Sequence, residues 1–206
     1  MDRLLHNRSL ILFALVLVLV PACTSTRVME VNVNRPTGAT SNTSSKAPLK
    51  VALVIDAALH HYKYHFKFAG DDIYPFGEAL CTYAQDTVRN AFEEVFICGS
   101  LDEAKNRADA ILIPKAVKSD RVMGMWAWDG NSWILIVEWT MKDPSGHNTL
   151  WMTTIEGRAW EPGGTSLTIK SRERALIQSV FDDLYLKTAQ AFSESPEIKR
   201  LALQAK

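Results

Sequence analysis

His60, His61 and His65 stand shortly before Asp71 and Asp72, imidazole and carboxylate groups of the kinds that hold a metal ion. Their spacing argues against that use. Between positions 59 and 68 the aromatic Tyr62, Tyr64, Phe66 and Phe68 alternate with His61, Lys63, His65 and Lys67, which is the period of a strand. On a strand His61 and His65 share a face but lie about 13 Å apart, too far to chelate one ion. The segment reads as a strand with an aromatic and a cationic face, the latter met by solvent or an acidic surface. No metal is expected.

Cys81 and Cys98 are the other reactive pair. In an oxidising compartment they form either a disulfide or two buried thiols, and without a Cys-x-x-Cys they carry no redox signature. Glu138, Glu156 and Arg158 on neighbouring strands offer a carboxylate pair, but ion pairing across an exposed sheet face is the plainer use. Gly-x-Ser-x-Gly, glycine-rich phosphate loops and His-Glu-x-x-His are absent. The sequence thus predicts no catalytic residue, no cofactor and no enzyme.

The elements that would position these groups follow from hydrophobic period. Lys50–Asp56 (KVALVID) is a dense aliphatic run, a strand buried on both faces. Asp71, Asp72 and Pro75 predict a helix start, and Phe76, Leu80, Tyr83, Ala84, Val88, Phe92 and Val95 recur at helical spacing over about twenty residues. Val95–Cys98 reads as a second strand, Ser100 and Glu103 as the cap of a short helix, and Asp109–Val117 as a third strand. Asp129-Gly130-Asn131 predicts a tight hairpin between Arg121–Trp128 and Ser132–Met141. Asn148–Trp160 adds a strand, Ser171–Phe192 a second long amphipathic helix, and Pro196 sets off a short helical tail. The expected fold is α/β (α+β): a single mixed sheet ending in an antiparallel meander, with two long amphipathic helices on one face.

The N-terminus sets the address. Arg3 and Arg8 precede eleven apolar residues, Leu10–Val20, that end in Val20-Pro21-Ala22-Cys23. That run is shorter than the roughly 20 residues a membrane span needs and has the order of a secretory signal peptide. Val20 to Cys23 resembles the lipobox of bacterial lipoproteins, which implies cleavage before Cys23 and acylation of that cysteine. Thr24 and Ser25, with no Asp, then imply delivery to the outer membrane, the domain facing the periplasm. Residues 1–22 are the expected signal peptide, 23–48 a lipidated flexible tether rich in Thr, Ser, Asn, Gly and Pro, and 49–206 a single domain. Within the tether, Val31 and Val33 alternate with Asn32 and Asn34, a pattern compatible with one short edge strand. The full chain has 23 Lys and Arg against 23 Asp and Glu, and losing Arg3, Arg8 and Asp2 leaves 21 against 22, a formal charge of −1. Such a chain lacks the clustered positive charge that nucleic-acid binding requires.

KVALVID, the helix after Pro75, Ala108-Asp109-Ala110-Ile111-Leu112 entering a strand, and Asp143-x-x-Gly146 followed by Leu150-Trp151 together resemble the small α/β domain of a lipoprotein-related group. That group comprises the TolB N-terminal region, the curli secretion lipoprotein CsgG and the LpoB-type lipoprotein activators of penicillin-binding proteins. The resemblance implies a non-enzymatic outer-membrane lipoprotein that binds another envelope component, a synthase, transporter or secretion machine. Its alternative is a subunit of an oligomeric secretion pore that inserts the hairpin 121–141 into the membrane. Trp126, Trp128 and Trp133 crowd one hairpin end; these rings either fold back over the open end of the sheet, stay exposed as a partner-binding site, or enter a membrane.

Overall fold

A run such as Val51–Val54, with no polar side to offer water, must lie inside a sheet. In the computed structural model, which describes residues 26–36, 46–67, 70–123, 130–162 and 169–205, it does. The strands are β1 (Thr26–Val28), β2 (Ala47–Val54), β3 (Tyr64–Lys67), β4 (Asp71–Tyr74), β5 (Phe92–Cys98), β6 (Ala110–Met123), β7 (Asn131–Lys142) and β8 (Thr149–Glu161). The helices are α1 (Ala57–His60), α2 (Gly77–Ala91), α3 (Leu101–Ala104), α4 (Ile169–Glu194) and α5 (Pro196–Gln204). The main sheet has the order β5-β2-β6-β7-β8. In it β2 pairs in parallel with β5 and β6, and β6, β7 and β8 form the antiparallel meander.

Alternation along the strands makes two cores of unequal size. Val51, Leu53, Leu112, Leu135, Val137 and Trp139 pack with residues of α2, α4 and α5. The other face buries only Ala52, Val54, Cys98, Ala104 and Ile111, beneath α3. Gly157 is where α4 comes closest to β8: a Cβ there would stand 2.4 Å from Leu184 Cγ and 2.6 Å from the Val180 carbonyl oxygen.

The fold departs from the expected single sheet. Asp71 and Asp72 do not start a helix but lie in β4, which joins β1 and β3 in a second, three-stranded sheet of order β1-β4-β3. Asp72 tolerates burial there because Arg27 reaches it from β1 with a bidentate pair at 2.8 and 3.0 Å. Helix α2 is correspondingly shorter, since Phe92 turns to extended backbone and opens β5. The two strands expected at 109–117 and 121–128 are one, β6, bulged between Ala116 and Lys118. Pro114 fits inside it because the pairing with β2 ends at Leu112, so its missing N–H is not called upon.

The flexible tether is also overturned for residues 26–36. β1 pairs with β4, Met29 N–H donates to the Ile73 carbonyl at 2.8 Å, and Asn34 exchanges two hydrogen bonds with Gln178 of α4. Met29, Val31 and Val33 pack against the main core. The strand in this segment is 26–28, not 31–33. Ser100 caps α3 as expected while Glu103 accepts the Gly99 N–H, and the short helix set off by Pro196 is α5, which the structure shows capped by Ser195.

Candidate functional site

Strand period gives the meander two faces with different fates. On the helix side of β7, Trp133, Leu135, Val137, Trp139 and Met141 are all buried. On the other side the cross-strand register sets out rows: Ile113, Thr140 and Met152; Lys115, Glu138 and Thr154; Lys118, Ile136 and Glu156; Asp120, Ile134 and Arg158; Val122, Ser132 and Trp160. Charges occupy the middle rows, with Lys118 paired to Asp120 at 3.2 Å and Arg158 to Glu156 at 2.8 Å. The end rows carry the exposed apolar side chains, Met152 61% exposed at one end, Val122 53% and Trp160 66% at the other, beside Thr140 and Ser132. Gly130 is required under that indole, since a Cβ there would meet Trp160 Nε1 at 2.3 Å.

The free edge of the meander is covered. Asp183 of α4 accepts the Arg158 backbone N–H at 2.8 Å, and Lys187 donates to the Glu156 carbonyl at 2.9 Å. These side chains take the edge groups of β8 that an added strand would need. A partner approaching the meander meets its flat face instead.

Behind the hairpin, the small sheet is bolted to the large one by a buried polar cluster. The Arg121 guanidinium pairs with Glu173 at 2.9 Å, both side chains under 10% exposed at 8% and 7%. Tyr74 completes a triangle, receiving a hydrogen bond from Arg121 and donating one to Glu173, each 2.5 Å. Burial first, then the bond to Glu173, pushes the Tyr74 hydroxyl up, so it stays protonated as a donor. Arg121 also lies 4.8 Å over the Phe66 ring, and its backbone N–H donates to the Tyr64 hydroxyl. Tyr62 hydrogen-bonds Ser119 at 3.0 Å. The aromatic face expected of residues 62–68 thus packs on β6, while His65 and Lys67 face outward; Phe68 lies outside the described residues. A cavity of about 50 Å³ beside Arg121, Trp133 and Glu173 has room for water but not for an organic substrate.

A larger cleft, about 380 Å³, opens at the carboxyl ends of β2 and β5 among His60, Glu78, Cys81, Gln85 and Cys98. Such strand ends are where α/β sheets commonly take ligands. Both cysteines are free, so the bridge weighed from the sequence is not formed. Cys81, on α2, packs in the large core and Cys98, at the end of β5, in the small core on the other face of the sheet, and both border the cleft. Burial, then the carboxylates of Asp56 and Glu78, pushes the Cys81 thiol up, which leaves it a poor nucleophile. His65 faces Asp71 at 3.3 Å, and among the described residues no three His, Cys, Asp or Glu side chains are grouped for a metal ion.

Of the three tryptophans at the hairpin end, Trp133 is 1% exposed and belongs to the core, where its indole meets Tyr64, Tyr74 and Phe76 edge-on. Period two from the buried Leu135, Val137 and Trp139 requires this. Trp126, Trp128 and Cys23 lie outside the described residues. Trp160 was missed, though the alternation of Glu156, Arg158 and Trp160 places all three on the outer face.

No family model matches the chain, and no curated protein resembles it in sequence. Solved structures of similar shape include a DUF330-family protein from Xanthomonas campestris (9% identity, 87% of this chain and 99% of that one, TM-score 0.49). A minor lipoprotein from Acinetobacter baumannii shares 15% identity over 70% of this chain and 90% of its own, with a TM-score of 0.43. Rare lipoprotein B from Shewanella oneidensis shares 15% over 75% and 98%, with a TM-score of 0.40. At these scores the likeness transfers no function.

Proposed function

We propose that the chain is an outer-membrane lipoprotein, acylated at Cys23, whose non-enzymatic domain binds another envelope component through the open face of the β6–β7–β8 meander. One observation carries the binding surface: three long strands present an outer face with exposed apolar side chains at its ends, Met152 at one and Val122 with Trp160 at the other, and among the described residues α3 packs on that face only near Ile111 and Ile113. The 61% and 66% exposure of Met152 and Trp160 is a solvation cost that a docked protein would remove. The lipid anchor rests on Leu10–Cys23 of the sequence. The pore reading draws no support from this geometry, because inserting 121–141 would strip Trp133, Leu135, Val137 and Trp139 from the core and unpair Arg121 from Glu173.

The test is site-specific photo-crosslinking in intact cells. A photoreactive residue replacing Ile136 or Met152 should trap one discrete protein, and the same residue replacing Leu186 on the exposed side of α4 should not. No adduct on the meander, or equal adducts at Leu186, refutes the surface. Cys23→Ser should abolish fatty-acid labelling and release from the membrane fraction should follow; normal labelling of that variant refutes the anchor.

A further inference from the structure

The docking of residues 26–36 fixes which end of the domain faces the membrane. Thr26 follows Cys23 by three residues, so the acylated cysteine lies at most about 11 Å from the start of β1. Strand register then carries that level across the small sheet: Thr26 pairs with Asp71, and Asp71 with Lys67. The direction of β3 relative to β6 is set by two side chains. Tyr62 bonds Ser119 and Tyr64 bonds the N–H of Arg121, so β3 runs toward Lys67 as β6 runs toward Met123. Lys67, Thr26 and the far row of the meander, Val122 with Trp160, therefore share one end of the molecule.

That end has the chemistry of a bilayer interface. Val122, Met123 and Trp160 are exposed there, and Lys67 is exposed at the same end, while the Arg27 guanidinium is held by Asp72. An indole with a polar N–H and a broad apolar ring favours the head-group level of a membrane, and cations favour its phosphates.

We propose that this end is seated in the head-group layer of the membrane that holds the Cys23 lipid, with Trp160, Val122 and Met123 in the interface and Lys67 against lipid phosphates. The inference rests on the acylation proposed above. It stands the β-strands of the meander on the bilayer and leaves the rest of the outer face, from Ile134 to Met152, turned to the periplasm for a partner.

The experiment uses the acylated full chain with Cys81→Ala and Cys98→Ala, reconstituted in phosphatidylethanolamine–phosphatidylglycerol vesicles. A fluorophore is attached at Trp160→Cys, at Val122→Cys, or at Met152→Cys, which lies on the same strand and face as Trp160 but about 26 Å away. Nitroxide-bearing phospholipids should quench the labels at 160 and 122 several-fold more than the label at 152. Mass analysis of the Cys23 peptide is made on the same sample. Equal or stronger quenching at 152 in acylated protein overturns this orientation alone. A Cys23 without acyl chains overturns the anchor and the orientation with it. The position-122 variant reads the same level should the Trp160 variant not fold.

Discussion

Trp133 and Trp160 sit one row apart across β7 and β8, yet one is 1% exposed and the other 66%. Residue type does not separate them; register does. Trp133 stands opposite Ala159 on the side of the long helices, among Tyr64, Tyr74 and Phe76, while Trp160 stands opposite Ser132 on the other side. A one-residue change of register turns every side chain of a strand to the other face. An aromatic cluster near a hairpin is therefore a core anchor or a contact surface according to parity alone.

The comparison breaks most visibly at Trp133. Trp133→Ala removes a fully enclosed indole from between two sheets and should cost about 3–5 kcal/mol of unfolding free energy. Urea titration would read this as a lowered midpoint at an unchanged slope. A loss under about 1 kcal/mol would mean that the cluster collapses around the gap and that Trp133 is not its keystone.

Glu173→Leu acts on the same junction by charge. It leaves Arg121 buried with no carboxylate, a change that costs about 3–5 kcal/mol when one partner of a buried pair is removed. Arg121→Met in the same chain should restore most of it, because the paired hydrophobic replacement buries no lone charge. If the double variant is no more stable than Glu173→Leu alone, the bridge is not what joins the small sheet to the large one.

How far these features could be read beforehand varied with the range of the interaction involved. β2, the meander, α4 and α5 were legible because period and turn signals are local: Pro196 before the tail, or the apolar runs on either side of Asp129-Gly130, need no knowledge of distant residues. The small sheet was not, because Asp72 in a strand makes sense only when Arg27, forty-five positions earlier, is there to pair with it. Asp-Asp-x-x-Pro looks like a helix start until that partner is seen. The cationic face of β3 was legible from its alternation. That its aromatic side would clasp Ser119 and Arg121, and so point Lys67 toward the hairpin, depended on tertiary contacts. For the site itself, Trp160 follows from the same period two that places Glu156 and Arg158 outside, whereas Trp133 lies close to the Asp-Gly turn in sequence but on the buried face.

Gly157→Ala sharpens the contrast from the helix side. Its Cβ would press on Leu184 and on the Val180 carbonyl, so α4 must shift or β8 must bend. Overpacking of this kind typically costs about 1–3 kcal/mol. The covered edge should loosen with it, seen as faster hydrogen exchange of the Arg158 amide that Asp183 now holds. Unchanged exchange would show that α4 yields without releasing the edge.

The smallest effect on stability should come from Trp160→Ser, the substitution that removes the largest exposed ring. Two-thirds of that side chain already faces solvent, and substitutions at exposed sites away from special features usually fall within about 0.5 kcal/mol. Gly130 beneath the ring needs no replacement for it, since a glycine with open space above is only hydrated. The same change should nevertheless weaken attachment of the acylated protein to vesicles, because it withdraws an interfacial indole while leaving the Cys23 lipid in place. Urea unfolding and vesicle flotation at raised salt, run on one preparation, separate the two. A midpoint loss comparable to that of Trp133→Ala would make Trp160 a core residue despite its exposure, and flotation equal to the unsubstituted chain would deny it a place at the bilayer.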